Sequence, residues 1–417
     1  MDFDRRRMLA SGGAALAAAG ALPRAAQAAL TLSPPAGVGF SADGLAALNA
    51  GMHKLVDDRQ LAGVTTLVAR HGKVVHFDAY GKRDLDTGAA MQKDTIFRIA
   101  SMTKPTIGIA MMMLWEEGKW ELSDRLDQHI PEFRTLKVRT KGGGIEDLKS
   151  PQTMVQVMSH TAGFGVNNDY QDRGWRRGDL QGMIGDLGKL PLYSQPGTDW
   201  SYGPCVDIQG YLVQKLSGKP LDMFMQERLF GPLGMADTGF WQPAANASRV
   251  AKINTYKDGK IVSAPQQGDI TRKPSFLSGS GGLSSTTEDY YRFCQMVLNG
   301  GQADGKRYVR ADTVKLMRTS VLRPGVMVDL YGPDQPGIGF GLDFAVIEDP
   351  SKAPTPQGKD TFYWGGAFGT WFWLDPTNDV IFVGMIQNIN GSVPGGGTPA
   401  VRQISPRLTY AALTGKS

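Results

Sequence analysis

The sequence predicts an α/β (α+β) fold: an antiparallel sheet flanked by helices, plus an inserted, mostly helical domain. Three observations carry this expectation. β-rich runs lie near both ends of the chain, at 64–77 and 363–387. The stretch between, roughly 120–275, reads as helices broken by Gly and Pro. The regular β-α alternation of a doubly wound parallel sheet is missing, and no repeat with a period of roughly 20–50 residues appears. The expected division is an α/β domain from 29–115 and 280–417, with 116–279 as the helical domain.

In chain order, 45–59 has the apolar spacing of an amphipathic helix. The runs 64–69 and 73–77 are strands flanking Arg70-His71-Gly72, a tight hairpin signal. A long helix is expected over 101–118, and shorter ones over 153–159, 205–217 and 220–229. Ser285-Thr286-Thr287-Glu288 has the pattern of a capping box, with a helix continuing over 289–298. Strands are expected over 363–374 and 380–387, joined by Asp375-Pro376-Thr377-Asn378-Asp379, whose residues favour turns. A closing helix is expected over 404–414.

Composition excludes several classes of function. Of 417 residues, 41% are hydrophobic and 20% charged, so the chain can bury a large core and is not of disordered type. The net charge is +5 with no long block of one sign, so nothing points to nucleic acid as a partner. The two cysteines, Cys205 and Cys294, exclude a disulfide framework. The five histidines form no HExxH pair, and no metal or cofactor is expected. Glycine is in excess, with 53 residues. Gly279, Gly281, Gly282, Gly365, Gly366 and Gly369 cluster in two short segments.

Residues 1–28 read as a signal peptide of twin-arginine type. Arg5-Arg6-Arg7 precede an apolar run over 9–22, and Ala26-Gln27-Ala28 is a small-x-small cleavage pattern. The run is shorter than the ~20 apolar residues of a membrane span. Cleavage would remove Arg5, Arg6, Arg7 and Arg24 against Asp2 and Asp4, leaving a nearly neutral exported or periplasmic protein with no stable membrane span; an uncleaved membrane anchor is the alternative.

The chemistry centres on Ser101-Met102-Thr103-Lys104, placed where a strand gives way to a helix. Residues i and i+3 share a helix face, so the Lys104 amine can reach the Ser101 hydroxyl. A serine hydroxyl is a weak nucleophile that needs an adjacent base, and a desolvated lysine can supply one. Backbone N–H groups at a helix start can stabilise a developing oxyanion. Pro105 fits only near the first turn, which also places the helix start here. No G-x-S-x-G elbow exists, and all histidines precede residue 161, so a Ser…Asp…His order with a late histidine cannot be built.

With these residues in hand, the chain resembles the serine β-lactamase and penicillin-binding-protein superfamily. It is most similar to the class C β-lactamase-like branch, closest to the family VIII carboxylesterases. Phe97-Arg98-Ile99-Ala100-Ser101-Met102-Thr103-Lys104 matches the nucleophile segment. Met158-Ser159-His160-Thr161-Ala162-Gly163-Phe164 and Ser280-Gly281-Gly282-Leu283-Ser284-Ser285-Thr286 match further landmarks, and Trp364-Gly365-Gly366 falls at the third motif. The resemblance implies a β-lactamase/DD-peptidase-like fold. It also implies Tyr202, in Trp200-Ser201-Tyr202-Gly203-Pro204, as the tyrosine that shares a proton network with Ser101 and Lys104. The oxyanion donors implied are the backbone N–H groups of Ser101 and Ala367, with Trp364, Gly365 and Gly366 beside the substrate.

Two departures shape the expected activity. Pro204 stands where the family's Y-x-N motif has asparagine, and Trp364 where it has a lysine or histidine. An amide for a lactam side chain and a cation for a substrate carboxylate are thus missing. An apolar wall suits an uncharged group. The expectation is a serine hydrolase that cleaves short-chain carboxylic esters of small molecules through an acyl-enzyme on Ser101. The alternatives are a β-lactamase, D-aminopeptidase or other amide hydrolase of the superfamily, and a cell-wall ligand-binding relative without turnover. His160 reads as a turn-locking residue rather than a base, and Trp371-Phe372-Trp373 as core. Cys205 reads as a small buried hydrophobe, and 167–175 as either a rim over the pocket or a solvated loop.

Overall fold

The computed structural model describes residues 30–165, 178–258, 260–329, 335–389 and 400–414. The expected signal peptide and the segment 167–175 lie outside them. Helix α1 (Ala42–Asp57) starts where the Ser41 hydroxyl accepts from the Gly44 N–H at 3.0 Å, satisfying one of the helix's orphan donors. Strands β1 (Gly63–Arg70) and β2 (Lys73–Gly81) form the expected hairpin. Its two-residue loop, His71 and Gly72, has φ of 52° and 70°, the left-handed pair that matches strand twist.

Helix α2 (Thr103–Glu116) is buried on every side from Thr103 to Leu114, so it runs through the core rather than across the surface. The expected helix from 101 is corrected at its start: Ser101 sits in a short 3-10 turn, Ala100–Met102, just ahead of α2. The helical segments that follow include α3 (Met154–Met158), α4 (Leu180–Leu187) and α5 (Cys205–Ser217). Helix α5 stops at Gly218, whose φ of 69° ends it in the left-handed conformation.

Helix α6 (Thr287–Leu298) is capped by the Thr286 hydroxyl, which accepts from the Asp289 N–H at 3.1 Å. The capping box expected around Ser285 and Glu288 is therefore replaced by a cap one residue later. Strands β3 (Ile338–Phe340) and β4 (Ala345–Ile347) are short and entirely buried. The single strand expected over 363–374 is two: β5 (Phe362–Gly365) and β6 (Trp371–Asp375). A tight turn separates them, with the Gly366 N–H donating to the Thr370 carbonyl and Gly369 at φ 90°. Apolar character continues through that turn, which hid it. Strand β7 (Val380–Met385) and helix α7 (Val401–Ala412) complete the fold.

The sheet is antiparallel, in the order β3-β4-β5-β6-β7-β1-β2. Strands from the two ends of the chain are thus neighbours within the sheet, with β7 against β1. One face packs on the core around α2 and α6. The other is covered by α1 and α7 through Leu48, Met52, Trp371, Trp373 and Phe382. Strand β4 pairs only with Phe362 and Tyr363 of β5, so its pairing stops before Trp364 and Gly365. Among the described residues, no helix is long and apolar enough to cross a membrane.

Asp289 gives the fold a readable pH dependence. It is buried at the start of α6, and its carboxylate accepts from the Asp237 N–H (2.8 Å) and the Thr238 hydroxyl (3.0 Å). Burial, and then the Asp237 charge, raise its pKa from 3.8 to about 7, against the lowering by the Asp237 N–H. The folded state therefore holds this proton more tightly than the unfolded chain. The stability it contributes is full below the unfolded value and is lost as pH rises through about 7. Asp289→Asn removes this component. Urea unfolding at stepped pH should show the variant gaining on the wild type from pH about 4 to about 7, then a constant difference.

Candidate active site

The nucleophile turn is held from several sides. Ala100, just before Ser101, has φ 45°, a left-handed conformation costly for a residue with a Cβ. The Ile99 N–H donates to the Leu283 carbonyl at 3.0 Å, and the Tyr290 hydroxyl to the Met102 carbonyl at 2.8 Å. Thr370 donates its hydroxyl to the Ile99 carbonyl at 3.1 Å. Gly366 comes so close that a Cβ there would lie 2.3 Å from the Ile99 carbonyl oxygen. Thus the turn after β5, with Ala367 exposed on it, is seated against the segment carrying Ser101.

Lys104 is 3% exposed, which is unusual for a lysine. Its Nζ donates to the Ser101 Oγ at 3.3 Å and to the Ser280 carbonyl at 2.6 Å. The same Nζ lies 4.5 Å from the centroid of the Tyr202 ring. The three residues expected at the centre, Ser101, Lys104 and Tyr202, therefore meet around one amine.

Behind Tyr202 stands an aromatic wall. The Trp364 ring lies 5.6 Å from that of Tyr202 and 5.4 Å, edge-on, from that of Phe340. His160 is completely buried, 4.9 Å from Tyr202 and 5.5 Å from Phe340. Burial, then the Lys104 charge, hold its pKa well below the usual value. Its ring nitrogens have no hydrogen-bond partner among the described residues, so this neutral imidazole serves as packing. Cys205 and Cys294 are free and buried, and burial raises both thiols. Trp371, Phe372 and Trp373 are core residues.

A cleft of about 640 Å³ opens at Tyr202, bordered by Trp200, Tyr193, Val326 and Met327. That is the size of a small-molecule site. A second, more enclosed cavity of about 270 Å³ lies against Trp364 and Gly365. No cluster of metal-ligating residues occurs among the described residues.

Several polar residues at this site escaped the sequence reading. Asp207 on α5 accepts from the Ser280 N–H (2.9 Å) and the Ser278 hydroxyl (2.7 Å). Asp343 is fully buried beside Gly108 and accepts from Gln209 at 3.1 Å. Burial pushes its carboxyl well above the usual range, against the Gln209 hydrogen bond and the Lys104 charge. One signal was available for Asp207: it is five residues past Tyr202, in the first turn of a helix otherwise rich in apolar residues.

An antiparallel sheet between helical layers, with a serine and a buried lysine three residues apart, defines a serine hydrolase of the β-lactamase superfamily. A family model described as Beta-lactamase matches residues 48–401, and the chain belongs to that family. Protein Rv1367c of Mycobacterium tuberculosis is 33% identical over 394 residues, covering 87% of this chain and 98% of its own. Esterase EstB of Burkholderia gladioli is 31% identical over 375 residues, covering 81% and 89%. Among solved structures, EstCE1, described as a hydrolase with promiscuous acyltransferase activity, superposes with a TM-score of 0.75 at 24% identity, covering 88% of this chain and 99% of its own.

Proposed function

We propose that this chain is an exported serine esterase that cleaves short-chain carboxylic esters of small molecules through an acyl-enzyme on Ser101. The observation that carries the reading is Lys104, buried and shared between the Ser101 hydroxyl and the Tyr202 ring. Ser101 Oγ attacks the ester carbonyl while Lys104 and Tyr202 take its proton. The backbone N–H groups of Ser101 and Ala367 hold the oxyanion. The alcohol leaves with the proton, and water, activated by the same pair, releases the acid.

The choice of esters over lactams rests on Trp364, an aromatic side chain where a cation would receive a substrate carboxylate, and on Pro204. The similarity to EstB supports the same choice. Export rests on the pattern of residues 1–28. The test is a panel of p-nitrophenyl acetate, butyrate and octanoate beside nitrocefin. Turnover of the short esters with nitrocefin slower by orders of magnitude is expected; the reverse order overturns the ester reading.

The seat of Gly366 predicts a further result. A methyl group there must displace either the Ile99 carbonyl or the Ala367 turn, because it clashes with the Ile99 backbone as well as with the Thr370 hydroxyl. A displacement of about 1 Å costs on the order of 10² in rate. Gly366→Ala is expected to lower kcat for p-nitrophenyl butyrate by about that factor, measured on protein whose folded fraction is checked by circular dichroism.

A further inference from the structure

We propose that Asp207 is a positioning residue for Lys104, holding in place the backbone carbonyl on which the lysine amine rests. The inference builds on the assignment of Lys104 as base to Ser101, and it adds a residue from helix α5. The path is short and continuous. Asp207 is completely buried in the first turn of α5. One carboxylate oxygen, Oδ1, takes both the Ser280 N–H at 2.9 Å and the Ser278 hydroxyl at 2.7 Å. The Ser280 carbonyl then accepts from the Lys104 Nζ at 2.6 Å, and that same Nζ lies 3.3 Å from the Ser101 Oγ.

Close packing fixes the same register. Gly279 lies so near α5 that a Cβ would be 2.3 Å from the Val206 carbonyl oxygen. Gly210, one turn further along α5, faces the Gly279 Cα at a distance of 3.7 Å from where its own Cβ would be. These two glycines let the 278–282 segment lie against the helix, and Asp207 ties it there. Lys104 has a flexible four-carbon stem, so the aim of its amine depends on what its partners fix. The carbonyl of Ser280 is the shorter of the two contacts, and Asp207 is what orients that peptide group.

The test compares Asp207→Ala, Asp207→Asn and Gly279→Ala in the full chain, with two readouts. The first is kcat and KM for p-nitrophenyl butyrate. The second is the burst of p-nitrophenolate from a neutral p-nitrophenyl alkylphosphonate. There the Ser101 Oγ–P bond forms, the P–O(aryl) bond breaks, and the serine proton passes to the base. Asp207→Ala is expected to lower kcat and the phosphonylation rate by about 10²-fold, with KM changed less than about threefold. Asp207→Asn keeps an oxygen acceptor at the same place and should recover most of the rate. Gly279→Ala pushes on the same segment from the other side and should lose kcat as Asp207→Ala does, which keeps the test decisive if Asp207→Ala fails to fold. Wild-type kcat in a folded Asp207→Ala or Gly279→Ala, or a loss confined to KM, overturns the proposal. If the wild type hydrolyses no ester but is phosphonylated, and Asp207→Ala slows that step, the positioning role stands while the ester reading falls.

Discussion

Ser101→Ala is expected to lower kcat/KM for p-nitrophenyl butyrate by about 10⁴-fold or more while leaving the fold unchanged. The size follows from what the serine alone supplies. Without a nucleophile there is no acyl-enzyme, and what remains is binding plus oxyanion stabilisation acting on water. Ten-thousand-fold corresponds to about 5.5 kcal/mol of lost transition-state stabilisation. The structural cost is small, because among the described residues the Ser101 Oγ makes only the long 3.3 Å contact to Lys104, and that amine keeps its 2.6 Å bond to Ser280. Stopped-flow traces should also lose any burst of p-nitrophenolate.

The second large effect is expected at the base. Lys104→Met keeps the length and apolar volume of the stem and removes the amine. Proton transfer by a positioned side chain is worth about 10²–10⁴-fold, and the loss in kcat should fall in that range. Unlike Ser101→Ala, this variant also has a cost in stability. The Ser280 carbonyl loses its donor inside the protein, and an unsatisfied buried acceptor costs about 1–3 kcal/mol. Thermal unfolding should therefore separate the two variants: near wild type for Ser101→Ala, lowered for Lys104→Met. Tyr202→Phe keeps the ring that lies against the Lys104 amine and removes only the hydroxyl. Loss of kcat there with normal stability places the hydroxyl in the proton path; an unchanged rate leaves Lys104 as the sole base.

The parts of this molecule that were legible in the sequence are those whose cause is local. A serine and a lysine three residues apart meet because a 3-10 turn running into a helix sets residues i and i+3 on one side. The hairpin at His71-Gly72 and the arrest of α5 at Gly218 are likewise written in single residues. The helical middle and the strands at the two ends imply a sheet closed by chain ends, and β1 does pair with β7. The contacts that complete the site are of another kind. Asp207 and Ser280 are 73 residues apart, and Phe340 reaches the Tyr202 wall from a strand that carries no catalytic motif. Nothing near Asp343 in Phe340-Gly341-Leu342-Asp343-Phe344 announces that its partner is Gln209. The break between β5 and β6 was hidden differently. Aromatic residues on both sides make 363–374 look continuous, while Gly366 and Gly369 turn the chain and bring Gly366 up to Ile99.

The central claim is that esters are cleaved through a covalent bond to Ser101. Its most direct test is intact-mass spectrometry of protein quenched in acid during turnover of p-nitrophenyl butyrate, followed by peptide mapping. A butyryl adduct on the peptide containing Ser101, absent from Ser101→Ala, is the predicted result. Turnover that persists in Ser101→Ala, or an adduct carried by any other residue, would contradict it.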